Sequence, residues 1–359
     1  MKILALESDF LASAFRELGH EVFYIRWDSV PDERENFLQI NRPLFYRDLI
    51  SLFEKYSFQP DFVFWHDVGN IPRVWGLEAL ECPTVGFFID TYCNPWHVPY
   101  SYGFDCSLVA QKNAVSFFHE SDYPKLNKWF PLFYNKRRAF NDSTARDIPV
   151  CFVGTVGNKQ NLPRKQFLDK FARFCPILVK QGAYQPLFAR SKIILNQSAA
   201  GELNFRTFEA AACGAAVLTE DCDNGLCDLF TPGENILPTY ERGNAQHAAE
   251  IALEMLGNEK KLLEIAHEGE RLVNEKHSAL ARAQEVLDLV GKLSESVQKR
   301  LASGDLIRRK LSLASMFICG ESQTAMSPQL IQHYNEMART YQERWDKVGS
   351  FLNLPVHPL

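Results

Sequence analysis

The stretch from Asn196 to Pro232, NQSAAGELNFRTFEAAACGAAVLTEDCDNGLCDLFTP, constrains the fold more than any other. An apolar run, Lys192-Ile193-Ile194-Leu195, leads into it and reads as a buried strand. A polar, glycine-containing loop follows. Arg206–Cys213 then reads as a short alanine-rich helix, Gly214 stops it, and Ala215–Thr219 is another strand. Strand, loop, helix and strand at this spacing make a parallel β-α-β unit, and ligands of parallel sheets bind where loops leave the carboxyl ends of strands. That loop carries Asn204, Phe205 and Arg206, with Glu209 one turn into the helix. Exposed backbone N–H groups and the positive end of the helix dipole suit a phosphate there. A carboxylate one turn further in suits a pair of sugar hydroxyls. The arrangement predicts a nucleotide diphosphate site.

With 359 residues the chain exceeds the size of a single core, which predicts two domains. A hydrophobic share of 46% and a charged share of 23% place it among ordinary globular proteins. The net charge of -5 argues against generic binding to nucleic acid or anionic membranes. No apolar run approaches the roughly 18 residues that span a membrane, and the start of the chain does not read as a signal peptide. The nine cysteines are odd in number and several sit in apolar surroundings, so they read as free thiols of a cytoplasmic protein. Cys213, Cys222 and Cys227 have no CxxC spacing and no nearby histidine, which argues against structural zinc.

Strand and helix signals alternate through the first half. Lys2–Leu6, Glu21–Ile25, Asp61–Trp65, Thr84–Ile89 and Cys106–Val109 read as strands, and Leu11–Leu18 and Pro43–Tyr56 as helices, with Pro43 at the first helical position. The polar segment from Asn135 to Thr144 is the expected linker. The pattern restarts with strands at Val150–Val153, Ile177–Val179, Ile193–Leu195 and Ala216–Thr219. Helices are expected over Arg164–Phe174, Ala245–Leu256 and Lys260–Asn274. The expected domains are thus 1–140, 145–285 and a helical tail over 286–359. In that tail Leu306–Phe317 and the stripe from Ile331 to Phe351 must bury apolar faces, against the first domain, in a homodimer or partner-protein interface, or on a membrane surface.

Several of these segments also carry a family likeness. Asn204–Ala215 (NFRTFEAAACGA) resembles the N-x-R-x-F-E-x-x-A-C-G-A core of the CgeB-like, or spore maturation protein, branch of glycosyltransferases. Leu229–Asn235, His277–Arg282, Phe87–Asp90, Phe104–Val109 and Val150–Thr155 are similar, in order, to other elements of that family. The likeness covers roughly residues 1 to 290. It implies a GT-B fold: two Rossmann-like α/β domains facing across a cleft, with the donor on the second and the acceptor on the first. It also implies a final helix that braces the first domain. One departure stands out. Many retaining GT-B enzymes carry two glutamates separated by seven residues; Glu209 matches the second, but Gly201 stands at the first, and Glu202 is one residue out of register.

On this reading Arg206, the loop at Asn204, and Lys159 or Arg164 after the Gly154-Thr155-Val156-Gly157 turn meet the diphosphate, and Glu209 holds the ribose. The bland alternative for Asn204 is a helix cap, and for Lys159 and Arg164 a solvated helix start. The Gly154 turn lacks the P-loop pattern, and the first strand leads into Leu6-Glu7-Ser8-Asp9-Phe10 with no GxGxxG. Asp9, His66 and Asp90, at the ends of strands in the first half, are the candidate catalytic groups. Asp90 precedes an aromatic loop, Tyr92, Trp96, His97 and Tyr100, which suits sugar recognition or packs on the sheet. His277 is expected to pack or to cap a helix. Asp221-Cys222-Asp223 is the one Asp-x-Asp and reads as a solvated turn, so no metal or other cofactor is expected. The expected activity is sugar transfer from a nucleotide-diphosphate sugar to an acceptor that the sequence leaves open. An epimerase or hydrolase on the same fold, or a non-catalytic nucleotide-sugar-binding protein, fits the same residues.

Overall fold

The apolar runs become parallel strands buried on both faces, as a helix-covered parallel sheet requires. The computed structural model describes residues 1–26, 37–119, 125–136, 145–156 and 162–321. The chain divides into two units, Met1–Phe130 with Ala283–Leu359, and Pro131–Arg282.

The first unit carries seven strands: β1 (Lys2–Leu6), β2 (Glu21–Arg26), β3 (Phe37–Gln39), β4 (Phe62–His66), β5 (Thr84–Phe88), β6 (Cys106–Val109) and β7 (Leu126–Trp129). Their order is β3-β2-β1-β4-β5-β6-β7, parallel throughout. The strand order reverses between β1 and β4, where ligand crevices of such sheets lie. Strands β3 and β7 lack the apolar runs that reveal the others; β7, LNKW, alternates exposed and half-buried residues at the sheet edge. Helices α1 (Phe10–Glu17), α2 (Tyr46–Lys55) and α3 (His97–Tyr100) lie in the same unit.

Helix α2 starts three residues later than Pro43 predicts. Leu44 donates to the Arg73 carbonyl at 2.8 Å and accepts from the Trp75 amide at 2.8 Å. That bridge keeps the backbone before Phe45 extended. Asp48 then starts the helix by accepting the Phe45 N–H at 2.9 Å, half of a capping box.

The second unit has a four-stranded parallel sheet of β8 (Ile148–Val153), β9 (Leu178–Lys180), β10 (Ser191–Asn196) and β11 (Ala216–Thr219), in the order β11-β10-β8-β9. Its switch point lies between β8 and β10. Helices α4 (Leu162–Phe171), α5 (Gln185–Arg190), α6 (Phe205–Ala212), α7 (Leu226–Leu229), α8 (Ala245–Leu256) and α9 (Glu259–Lys276) complete it. Gly214, at φ +68°, ends α6 in a Schellman motif: its N–H reaches the Ala211 carbonyl at 2.8 Å, and that of Ala215 reaches Ala210 at 3.2 Å. The structure assigns residues 131–136 to this unit and not to the first domain. Tyr134 donates to the His277 carbonyl at 3.0 Å and accepts from Ala279 at 2.8 Å, which ties the segment down. Residues 137–144 of the expected linker lie outside the described residues.

Three helices follow: α10 (Ala279–Val290), α11 (Ser294–Ala302) and α12 (Gly304–Glu321). On α12, Ile307, Leu311, Ala314 and Ile318 recur every three or four residues and join the core of the first unit. Burying such aliphatic side chains stabilises by about 1.5–3 kcal/mol each. From α11, the fully buried Arg300 reaches Asp105 with Nε at 2.9 Å and Nη2 at 3.1 Å, and donates to the carbonyls of Glu78 and Cys82. The stripe expected over residues 331–351 lies outside the described residues.

Candidate functional site

The carboxyl edge of β8 and β10 in the second unit gathers two arginines on one aromatic ring. Arg206 sits in the first turn of α6, where a cation opposes the helix dipole. Its side chain leaves the helix and spans the switch point. Nε donates to the Val153 carbonyl at the end of β8 at 3.0 Å, and Nη1 to Asn196 Oδ1 at the end of β10 at 2.8 Å. The guanidinium lies 4.5 Å from the centroid of Phe152. Arg164, from α4, approaches the same ring at 5.7 Å, donating to Gln197 Oε1 at 2.9 Å and to the Thr155 carbonyl at 3.1 Å.

Gly154 makes this packing possible. A Cβ at that position would lie 2.5 Å from Arg206 Nη2 and 3.1 Å from the Phe152 ring. Burial, and then the like charge of Arg164, pull the pKa of Arg206 down to about 10; Glu209 and Glu202 act the other way. Arg206 therefore remains a cation at neutral pH, and among the described residues only neutral oxygens hold it at hydrogen-bond range.

The loop before α6 is braced by its own side chains and by Glu220. Four of its amides, those of residues 198 to 201, are engaged within the unit. Those of Ala199 and Ala200 donate to the Glu202 carboxylate at 3.1 and 2.6 Å. That of Ser198 donates to the buried Glu220 at 3.0 Å, and that of Gly201 to Ser198 Oγ at 2.9 Å. Asn204 adopts the extended backbone of an N-cap, yet its side chain makes no capping bond, and its buried Oδ1 has no hydrogen-bond partner among the described residues. Phe205 turns its ring edge to Phe133 at 6.1 Å. Glu209 lies in the second turn of α6 and is half-buried. Lys159 lies outside the described residues. Arg164 is not a solvated helix start but buried.

His277 is buried between Phe208 and Phe230, with ring centroids at 5.6 and 5.8 Å. Burial, and then the charges of Arg282 and Lys276, push its pKa down to about 4, so it packs as a neutral ring. Among the described residues no group of three or more His, Cys, Asp or Glu side chains is placed to hold a metal ion, Asp221 and Asp223 included.

The carboxyl edge of the first unit's sheet is acidic. Asp9 precedes α1, His66 ends β4 and Asp90 follows β5, so the three expected residues share one edge. His66 is buried, stacked on Phe87 at 5.1 Å and met edge-on by Phe10 at 5.7 Å. Asp90 is half-buried and donates its backbone N–H to Asp67. The aromatic loop after Asp90 mostly does not face a ligand: Trp96, His97 and Tyr100 are buried around Trp65, and only Tyr92 of the four is exposed. The sheet's need for a lid wins over display of the rings.

Two acids at this edge escape the sequence reading. Glu7 directly follows β1 at φ +73°, a left-handed conformation unusual for a side chain of this size. Its Oε1 accepts the Arg73 amide at 3.2 Å. Burial pushes its pKa up to about 7, with Arg73 lowering and Asp67 raising it. The buried Asp67 follows β4 and accepts the amides of Gly69, Ile89 and Asp90 at 2.8, 3.0 and 3.1 Å. His97, with Nε2 at 3.3 Å from Asp67, is pushed down to about 4 by burial, although Asp67 opposes this. Position directly after an apolar strand is the one sequence signal that marks both acids.

Residues 153–288 match the family described as "Glycosyl transferase-like". No curated protein matches the chain. Among solved structures, the chain is similar to sucrose-phosphate synthase from Thermosynechococcus elongatus, at 10% identity and a TM-score of 0.59, covering 82% of this chain and 99% of that one. It is also similar to Anabaena HepE in complex with UDP and glucose, at 14% identity and a TM-score of 0.57, covering 81% and 100%. A third likeness is to the pneumococcal O-GlcNAc transferase GtfA in complex with UDP and GlcNAc, at 8% identity and a TM-score of 0.56, covering 82% and 99%. The fold is GT-B. In this GT-B chain the family match begins at Val153, whose carbonyl receives Arg206, and contains both arginines and Glu209. The GT-B frame thus puts two cations at one switch point and a set of acids at the other. Among the described residues no helix is long and apolar enough to cross a membrane.

Proposed function

We propose that this GT-B protein is a glycosyltransferase whose second unit binds a nucleotide-diphosphate sugar. One observation carries the reading: Arg206 and Arg164 share the Phe152 ring at the switch point of β8 and β10, and each guanidinium disfavours the other's charge. A diphosphate relieves that repulsion and takes charge-assisted hydrogen bonds from both. Glu209, in the next turn of α6, holds the ribose hydroxyls. The family match over 153–288 and the GT-B fold support the same assignment.

In the transfer step the bond between the anomeric carbon and the diphosphate oxygen breaks, and negative charge develops on that oxygen. Fixed cations stabilise this charge without a metal ion. The acceptor is assigned to the first unit. There Glu7, whose carboxyl is raised to about 7, is better suited to take a hydroxyl proton near neutral pH than the buried His66.

Titrating Arg206→Ala with UDP, GDP and dTDP tests the donor site. The variant is expected to lose about 1.5–3 kcal/mol of affinity, the scale of hydrogen bonds to a charged group. Undiminished binding in a folded variant refutes the site.

A further inference from the structure

We infer that Asn196 is a positioning residue that sets the charge of the donor site: its side-chain amide aims Arg206 while leaving the guanidinium's charge available to a ligand. The inference deepens the nucleotide-sugar reading and rests on it.

Asn196 ends β10 and is 2% exposed. Its Nδ2 donates to Thr207 Oγ1 on α6 at 3.1 Å and to Thr219 Oγ1 on β11 at 3.0 Å. Its backbone carbonyl accepts the Tyr240 hydroxyl at 2.6 Å. With Nδ2 committed to the two threonines, Oδ1 is left for Arg206 Nη1 at 2.8 Å. Turning the amide over would set its NH2 group against the guanidinium, so the orientation is decided by the network. The other oxygens at hydrogen-bond range of Arg206, the carbonyls of Val153 and Gln197, are neutral as well. Gln197 offers Arg164 a second neutral amide oxygen at 2.9 Å.

A buried guanidinium is ordinarily compensated by a carboxylate, and this chain does so at Arg300, where both it and Asp105 are fully buried. Nothing in the shape of the Asn196 pocket excludes aspartate. It has nearly the outline of asparagine, and the Thr207 hydroxyl, or that of Thr219 in exchange for its long bond to the Glu220 carbonyl at 3.4 Å, can turn to donate to it. What aspartate would change is one negative charge 2.8 Å from Arg206. The neutral amide reserves the cation for an external anion.

Full-length protein and Asn196→Asp are titrated with UDP, GDP, dTDP and inorganic pyrophosphate at low and high salt, with thermal unfolding as the check on folding. Asn196→Asp is expected to unfold within a few degrees of wild type, to bind roughly 10-fold more weakly, and to show a shallower salt dependence. Wild-type affinity and salt dependence in the folded variant overturn the inference. Thr207→Val decides the matter if Asn196→Asp does not fold. It removes one anchor of the amide without changing charge, so binding should weaken several-fold; unchanged affinity overturns the positioning role. A wild-type protein that binds none of the four probes is the separate failure of the donor-site reading, visible before any variant is compared.

Discussion

Two arginines, one in each unit, have opposite electrical settings. Arg300 on α11 is fully buried, pairs with Asp105 through two nitrogens, and spends its other hydrogens on carbonyls of the loop after Leu77. Arg206 on α6 is half-buried, rests on Phe152 and, among the described residues, hydrogen-bonds only neutral oxygens. The first is closed: every charge has its complement inside the unit, and the pair ties a late helix to β6 and the loop before it. The second is open, since its nearest cation disfavours it and its carboxylates act from further away. The difference separates an arginine that ties elements together from one whose charge no carboxylate at hydrogen-bond range compensates among the described residues.

Removing the guanidinium at the closed site should have the largest effect. Arg300→Met leaves Asp105 charged and buried, and should cost about 3–5 kcal/mol of stability in denaturant titration. Adding Asp105→Asn should recover most of it; a single variant as stable as wild type breaks the contrast. The acidic edge of the first unit gives the next effect. Burial pushes the Glu7 carboxyl up to about 7 from the ordinary 4.5 of a glutamate, so the folded state binds the extra proton. Its contribution is fully present below about pH 4.5 and is lost as pH rises to about 7, by up to about 3 kcal/mol. Stability curves of wild type and Glu7→Gln should diverge across that window and run parallel above it; parallel curves throughout disprove the raised pKa.

At the open site the loss falls on binding instead. Arg206→Met should cost only about 1 kcal/mol of stability, because no opposite charge is orphaned, while nucleoside diphosphate affinity falls by about 1.5–3 kcal/mol. A stability loss as large as that of Arg300→Met would erase the distinction. Chelation sharpens the same point with the smallest expected effect, none. EDTA should leave donor binding and transfer intact, and a loss restored by manganese would instead implicate Asp221 and Asp223.

Legibility differed by element. Strands β1, β4, β5, β8, β10 and β11 are visible because parallel strands buried on both faces need unbroken apolar runs. Edge strands β3 and β7 need none and were missed. Pro43 misplaced the start of α2 because the Leu44 bridge to residues 73–75 joins segments that no local pattern connects. Arg206 and Glu209, the proposed donor groups, are read from one helix. Glu7 is not, since its character comes from burial and from Arg73 and Asp67, far along the chain.

The sequence by itself determined the β-α-β unit around α6, the cation at that helix start and the glycine after β8, since strand periodicity, helix stop and turn chemistry are local properties. Only the tertiary structure decided that Arg164 joins Arg206 on Phe152, that Glu202 and Glu220 hold the amides of residues 198 to 200, and that Asn196 supplies a neutral oxygen. Those contacts depend on strand register and on side chains converging from separate elements, and the free energy of a charge depends on everything within its reach, not on its place in the chain.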